Sequence, residues 1–486
     1  MSNSREADDR RKMKKRTLVI VIAATVYTAV LIGWHLYNPA SGLTEFHPGA
    51  DNRPPGTERK ADDVVIGEFF MKYEAAQPAG LPGQWPSFRG PQKNNICPTD
   101  KPLRLSEGPF REIWSQPTGE GHAAPVVWNG RVYVLDYDES LSSDALRCFN
   151  LQTGEELWRR WYRVPIKRNH GFSRTIPAVH DGRVVTIGPE GHVMCCDALS
   201  GALCWTLDMK KQYGAEIPFW YTGQCPYITS LGEVILAPAG TDVLLTAIDL
   251  QTGQPRWTTP NTPHLKMSHS SVMPMQIQGK ATLVYAGVGG VCGVSATGGD
   301  AGRLLWSCNQ WQPSVLAPSP LQIATDRIFL VAGYGSGGAL MQVERQGERW
   351  TAGILEQYKA DRGLSSEQQT PVFYQGMIIT ILPKDGGSML ERLAIFQPSD
   401  LHRPLWNSAA DERFGLGPYM VIDDKLFAFK ESGELFVYEI LKDNMKLLRR
   451  QQVIEDGADA WGPMAYADGL LLVRDASCVK CIKIND

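Results

Sequence analysis

The chain has 486 residues, 43% of them hydrophobic, with 47 glycines and 14 tryptophans. That composition suits a large folded domain and excludes a disordered or collagen-like chain. The formal net charge is −3, and it falls to about −7 once the basic N-terminal tail is set aside. An acidic main domain is no footprint for nucleic acid.

Residues 1–16 form a basic tail with Arg5, Arg10, Arg11, Lys12, Lys14, Lys15 and Arg16 against Glu6, Asp8 and Asp9. The stretch Thr17 to Tyr37 then carries no charge. At about 1.5 Å rise per residue it spans roughly 30 Å of hydrocarbon, so a single transmembrane helix over 17–37 is expected. The preceding basic cluster orients it with the N-terminus cytoplasmic and the rest exported, an inner-membrane single-pass arrangement with a periplasmic domain. The apolar run is longer than a signal-peptide core and Asn38-Pro39-Ala40 is a poor cleavage site, which favours an uncleaved anchor. Residues 38–84, rich in Pro, Gly and charge, read as a linker, with a short helix from Asp62 to Ala75 as an option inside it. Residues 85–110 read as a strap lying across the domain, because Trp85 and Phe88 are costly to leave in water.

From Arg111 onward the sequence repeats every 47 residues or so. One unit runs Ala124-Pro125-Val126-Val127, Gly130 to Leu135, then Arg147 to Trp158. Alternating apolar runs make strands, Asn129-Gly130 and Thr153-Gly154 make tight turns, and the closing Trp wedges between neighbouring sheets. Further units open at Pro177, Pro226, Pro274, Pro320, Pro371, Pro418 and Pro463, eight in all. The last unit has only three strands, whereas Arg111 to Ser115 is an unattached fourth. An eight-bladed all-β propeller closed by the Trp114 strand over 111–486 follows, with seven blades as the alternative. Trp114, Trp158, Trp205, Trp257, Trp306, Trp350 and Trp406 are expected to dock blade against blade.

The Asp-x-x-Thr/Ser-Gly-x-x-x-Trp grammar at Asp197 to Trp205 and Asp249 to Trp257 resembles the tryptophan-docking repeat of quinoprotein (PQQ-like) propellers. The opening Trp85 to Pro91 and the run Gly333 to Gly338 are similar to a bacterial branch of that class. The resemblance implies the propeller fold, and it carries function only weakly. No Trp-Asp dipeptide or kelch-like spacing occurs, and no Cys-x-x-Cys-His for covalent haem.

Loops that join one blade to the next gather on one face, where function usually sits. Reading them gives a candidate channel-mouth site of His122, Arg174, Trp220, Tyr221, His269, Gln369, Arg413, Asp459 and Trp461. This mix of aromatic, basic and amide groups suits a polar ring, a glycan or a peptide better than a metal. Cys195-Cys196 and Cys478-Val479-Lys480-Cys481 read as strand residues, although a vicinal disulfide and a redox or zinc half-site share those patterns. No catalytic residue and no metal set are singled out.

Two functions follow from the resemblance. One is a non-catalytic, membrane-anchored scaffold or binding propeller of the cell envelope, similar to the barrel-assembly propeller subunit, with envelope proteins or a small polar ligand as partner and no cofactor. The other is a dehydrogenase that oxidises an alcohol or sugar with pyrroloquinoline quinone and Ca²⁺, for which Asp459, Asp411, Glu412, Glu367 and Glu216 lie near the expected face.

Overall fold

A computed structural model describes residues 2–37, 64–99 and 102–485. The chain falls into two compact units, Met1–Glu58 and Arg59–Asp486. The first contains one helix, Ser2–Leu36, in which the basic segment runs on without a break into the apolar one. Its portion Met13–Leu36 is long and apolar enough to cross a membrane. Thr17, Thr25 and Thr28 each return their hydroxyl to the carbonyl four residues back, so these polar groups are satisfied within the helix.

The second unit is an eight-bladed β-propeller. Each blade opens at or next to one of the eight prolines. Blade 1 is built from Val126–Trp128, Arg131–Asp138, Ser143–Asn150 and Glu156–Arg163, paired antiparallel in sequence order. Blades 2 to 7 repeat this meander, and their innermost strands begin at Ala178, Tyr227, Met273, Leu321, Val372 and Tyr419. Blade 8 takes Ala465–Ala467, Leu470–Arg474 and Cys478–Lys483 from the C-terminus and Arg111–Pro117 from the N-terminal side, with Trp114 opposite Cys481. The ring is thus closed by hydrogen bonds between the two ends of the domain, and two sheet edges disappear.

Trp114 donates from Nε1 to the Leu151 carbonyl at 2.8 Å. Its ring lies against Gly154 of blade 1 so closely that a Cβ there would sit 2.5 Å away, which is why that left-handed turn position (φ 74°) takes glycine. Trp158 covers Gly201, Trp205 covers Gly253 and Trp257 covers Gly302 in the same way, each on the following blade. Trp306 is buried at the blade 4 to blade 5 junction.

The repeat degenerates after that. In blade 1 the docking Trp158 pairs with Cys148 just before a bulge, whereas the matching place in blade 5 is Glu356, opposite Leu340. Trp350 instead sits beside the turn of a long hairpin, opposite Arg345, whose guanidinium lies 5.1 Å over its ring. It is half-buried at the edge of the core shared by blades 4 and 5, away from the register position that Trp158 holds in blade 1. Trp406 is also half-buried, on a two-residue outer strand, and meets Tyr438 edge-on at 5.8 Å.

The segment ahead of the ring differs from its sequence reading. No helix forms over the described part of 62–75; Phe69–Lys72 is a fifth strand on blade 1, paired with Trp158 to Trp161. Phe69 stacks on Trp161 at 5.6 Å and Phe70 lies under Arg160, a two-residue alternation that suits a strand. The expected linker is therefore folded from residue 64 onward, and 38–63 lie outside the described residues.

Residues 85–99 and 102–110 run along the face where the first hairpin turn of each blade lies. Trp85 exchanges both backbone hydrogen bonds with Val127 of blade 1, and the Pro86 carbonyl accepts from Val179 of blade 2. The chain then turns through Arg89, Gly90, Lys93 and Asn95, all at positive φ. Ile96–Cys97 leaves as a parallel strand beside Tyr419–Ile422 of blade 7. Phe110 finally bonds Gln451 through both backbone groups.

All ten cysteines are free. Cys195 packs into the blade 2 to 3 core and Cys196 into the blade 1 to 2 core, as strand alternation requires.

Candidate binding pocket on the propeller axis

A cavity of about 270 Å³ occupies the centre of the ring at the blade-connecting face. Its base is the strap: Phe88, Arg89 and Asn95 line it from below, so the channel is blind. Arg89 is 4% exposed and is spent as a tie. It donates to the carbonyls of Thr370 (2.8 Å) and Pro371 (2.9 Å) on blade 6 and of Lys93 and Asn94 within its own turn. Lys93 lies just behind, with Nζ bonded to the Ser87 hydroxyl and 5.4 Å over the Tyr227 ring.

Aromatic walls stand on two sides. Trp220, from the loop entering blade 3, stacks on Tyr334 at 5.7 Å and 16°, with His269 6.2 Å away. Gly223 permits this packing, since a Cβ there would fall 2.7 Å from that of His269. On the blade 8 to 1 side Trp461 lies 4.7 Å from His122 and donates from Nε1 to Glu431 at 3.1 Å. Between the walls stand Arg174 and His170 from the loop entering blade 2, and Glu367, Gln368, Gln369 and Lys384 from blade 6. Gln369 is held by the carbonyls of Trp461 (2.9 Å) and Leu416 (3.3 Å).

The charge states follow from burial. Burial, reinforced by Arg174, pushes the His122 imidazole down to about 3 and that of His269 down to about 4, so both are neutral at ordinary pH. His122 Nε2 lies 3.0 Å from the His170 carbonyl and donates to it. Glu367 is raised above the usual carboxylate range, first by burial.

Of the nine residues expected at the mouth, the cavity brings together His122, Arg174, Trp220, His269, Gln369 and Trp461. Tyr221, Arg413 and Asp459 do not line it. Tyr221 turns away at φ 67° and donates to the Lys167 carbonyl at 2.6 Å. Arg413 is exposed and bonds the Ala410 carbonyl, and Asp459 is exposed with φ 50°. Neighbours in a tight loop point in different directions, so proximity in sequence to Trp220 or Trp461 does not make a lining residue. Tyr334 and Lys384 escaped the reading because they come from turns between second and third strands. The strap residues escaped because nothing local says that a chain passing under the ring reaches its axis.

The pocket does not fit a metal-held quinone. Glu367 is its single lining carboxylate, no group of three or more His, Cys, Asp or Glu is placed to hold a metal among the described residues, and Cys195 and Cys196 diverge into separate cores.

These features define an eight-bladed β-propeller with an axial pocket. A family model described as outer membrane protein assembly factor BamB matches residues 142–364. Among solved structures, BamB from Moraxella catarrhalis is 11% identical, with 78% of this chain and 98% of that one covered and a TM-score of 0.50. The quinohemoprotein alcohol dehydrogenase ADHIIG from Pseudomonas putida HK5 is 13% identical, covering 83% and 80% with a TM-score of 0.53. That of Comamonas testosteroni is 12% identical, covering 83% and 81% with a TM-score of 0.54. At these identities the likeness is one of fold. No curated protein matches the chain.

Proposed function

We propose that this protein is a non-catalytic binding propeller of the bacterial cell envelope, held at the inner membrane by its N-terminal helix, with the propeller periplasmic and a polar, ring-shaped ligand in the axial pocket. The observation that carries this reading is the blind, aromatic-walled cavity, whose strap floor converts a through-channel into a site. Flat aromatic walls with polar groups between them suit a ring with an apolar face and polar edges. The envelope setting rests on the apolar helix, on the basic residues ahead of it, and on the assembly-factor description of the matching family.

Full-length protein in mild detergent, examined by native mass spectrometry, tests the pocket. A co-purifying small molecule that is lost in Trp220→Ala supports it; unchanged masses in both leave a protein-docking scaffold. Protease digestion of intact spheroplasts tests orientation: the propeller is expected to be cleaved from outside.

A dehydrogenase reading is favoured by the shared fold with the quinohemoprotein alcohol dehydrogenases, and the pocket's donor set weighs against it. Calorimetric titration with pyrroloquinoline quinone is expected to show no dependence on added Ca²⁺, and Ca²⁺-dependent stoichiometric binding would reinstate it.

A further inference from the structure

Basic side chains outnumber carboxylates in the lining of this pocket, in a domain that is acidic overall. Arg89, Lys93, Arg174 and Lys384 line it or lie directly under it, and Glu367 is the single carboxylate among the lining residues. Among the described residues no carboxylate comes within ion-pair distance of Arg89, Lys93 or Arg174, whereas the buried Arg147 elsewhere in the ring holds both Asp136 and Glu156. Backbone carbonyls satisfy the two arginines, and the Ser87 hydroxyl accepts from Lys93: Arg174 gives Nη1 and Nη2 to the carbonyls of Asn169, His170, Gly171 and Phe172. Carbonyl dipoles meet hydrogen-bonding needs but cancel no net charge, and in a desolvated site the monopole remains.

The same field is felt by the neighbours. Burial lowers Arg89 and Arg174 to about 10 and Lys93 to about 8, and His122 and His269 are depressed further by Arg174. Among the described residues the hydrogen bonds of Arg174 run through Nη1 and Nη2 alone, so Nε is left as a donor for a ligand.

We propose that the ligand of this pocket is an organic anion: a small ring compound bearing a carboxylate, its ring between the Trp220 and Trp461 walls and its charge turned to Arg174. This rests on the pocket being a ligand site, and the two readings separate experimentally. Full-length protein in detergent is titrated by calorimetry with a matched pair of probes, naphthoate and trimethylnaphthylammonium, which share a flat ring and differ in charge. Naphthoate is expected to bind roughly tenfold or more tightly than the cation. Arg174→Gln is expected to bring the ratio towards one. Lys384→Gln, at an exposed position that leaves the fold untouched, lowers it about two- to threefold by removing one screened charge. Equal affinity for the two probes, or a ratio unmoved in both variants, overturns the anion assignment and leaves the pocket. If neither probe binds, the ligand site itself falls and this assignment with it.

Discussion

Trp114 carries ring closure because three effects meet in it: 6% exposure, a hydrogen bond to Leu151 and contact with a glycine turn on the next blade. Trp114→Ala is expected to cost about 3–5 kcal/mol in urea or thermal unfolding, while Trp350→Ala, at a half-buried hairpin position, costs about 1 kcal/mol or less. Asp144 is a different kind of residue. It is 1% exposed and accepts from Ser173 Oγ at 3.1 Å and Tyr162 Oη at 3.2 Å, and burial pushes its carboxyl up to about 7. Because the folded value lies above the unfolded one, the native state binds more protons between them. Stability contributed by the neutral acid is therefore present at low pH and lost as pH rises towards about 7. Chemical denaturation from about pH 5 to about pH 8 should show the wild type losing roughly 1–3 kcal/mol relative to Asp144→Asn; parallel curves would refute it.

At the scale of elements, the strap behaves as a latch and not as a linker. It joins blades 1 and 2 to blades 6 and 7 through backbone bonds at Trp85, Pro86 and Asn95, and Arg89 ties it to Thr370 and Pro371. Arg89→Ala removes the tie and strands buried carbonyls, at a cost of about 3–5 kcal/mol. The amides of Val179, Val421 and Asp423, whose acceptors lie in the strap, should then exchange faster with deuterium than outer-strand amides do. Uniform acceleration would mean that the strap has no separate stability. The degenerate units have an element-scale cause as well. Blade 5 buries its junction with a long hairpin and blade 6 has a two-residue outer strand, so neither needs the turn-and-Trp grammar that makes blades 1 to 4 legible.

For the whole molecule, closure is the decisive contact, and it is local in space but about 370 residues long in sequence. Arg474 stands at the seam, fully buried, donating to the carbonyls of Ala123 and Leu135 at 2.8 and 3.0 Å. Its removal leaves several buried carbonyls unmet at the junction of blades 8 and 1. Arg474→Ala is expected to lower the melting temperature with loss of a single cooperative transition, as a ring opened at one seam unravels blade by blade. One undisturbed transition would mean that pairing of Arg111–Pro117 with Cys478–Lys483 suffices alone.

Blade number, closing strand, apolar helix and the docking role of the early tryptophans were legible in the sequence, because each rests on a periodic or short-range pattern. Turn glycines stand four residues before Trp158, Trp205, Trp257 and Trp306, and strand alternation separates Cys195 from Cys196 without any knowledge of the ring. The pocket was legible in part: loop position found His122, Arg174, Trp220, His269, Gln369 and Trp461. Tertiary structure alone decided the rest. Which face of a tight loop looks inward depends on single φ values such as those of Tyr221 and Asp459, and the floor under the pocket depends on a segment far from every wall residue in sequence. The basic lining of the site is likewise a property of assembly, since Arg89, Lys93 and Arg174 are ordinary basic residues until folding removes them from water with no carboxylate of the described residues within ion-pair distance.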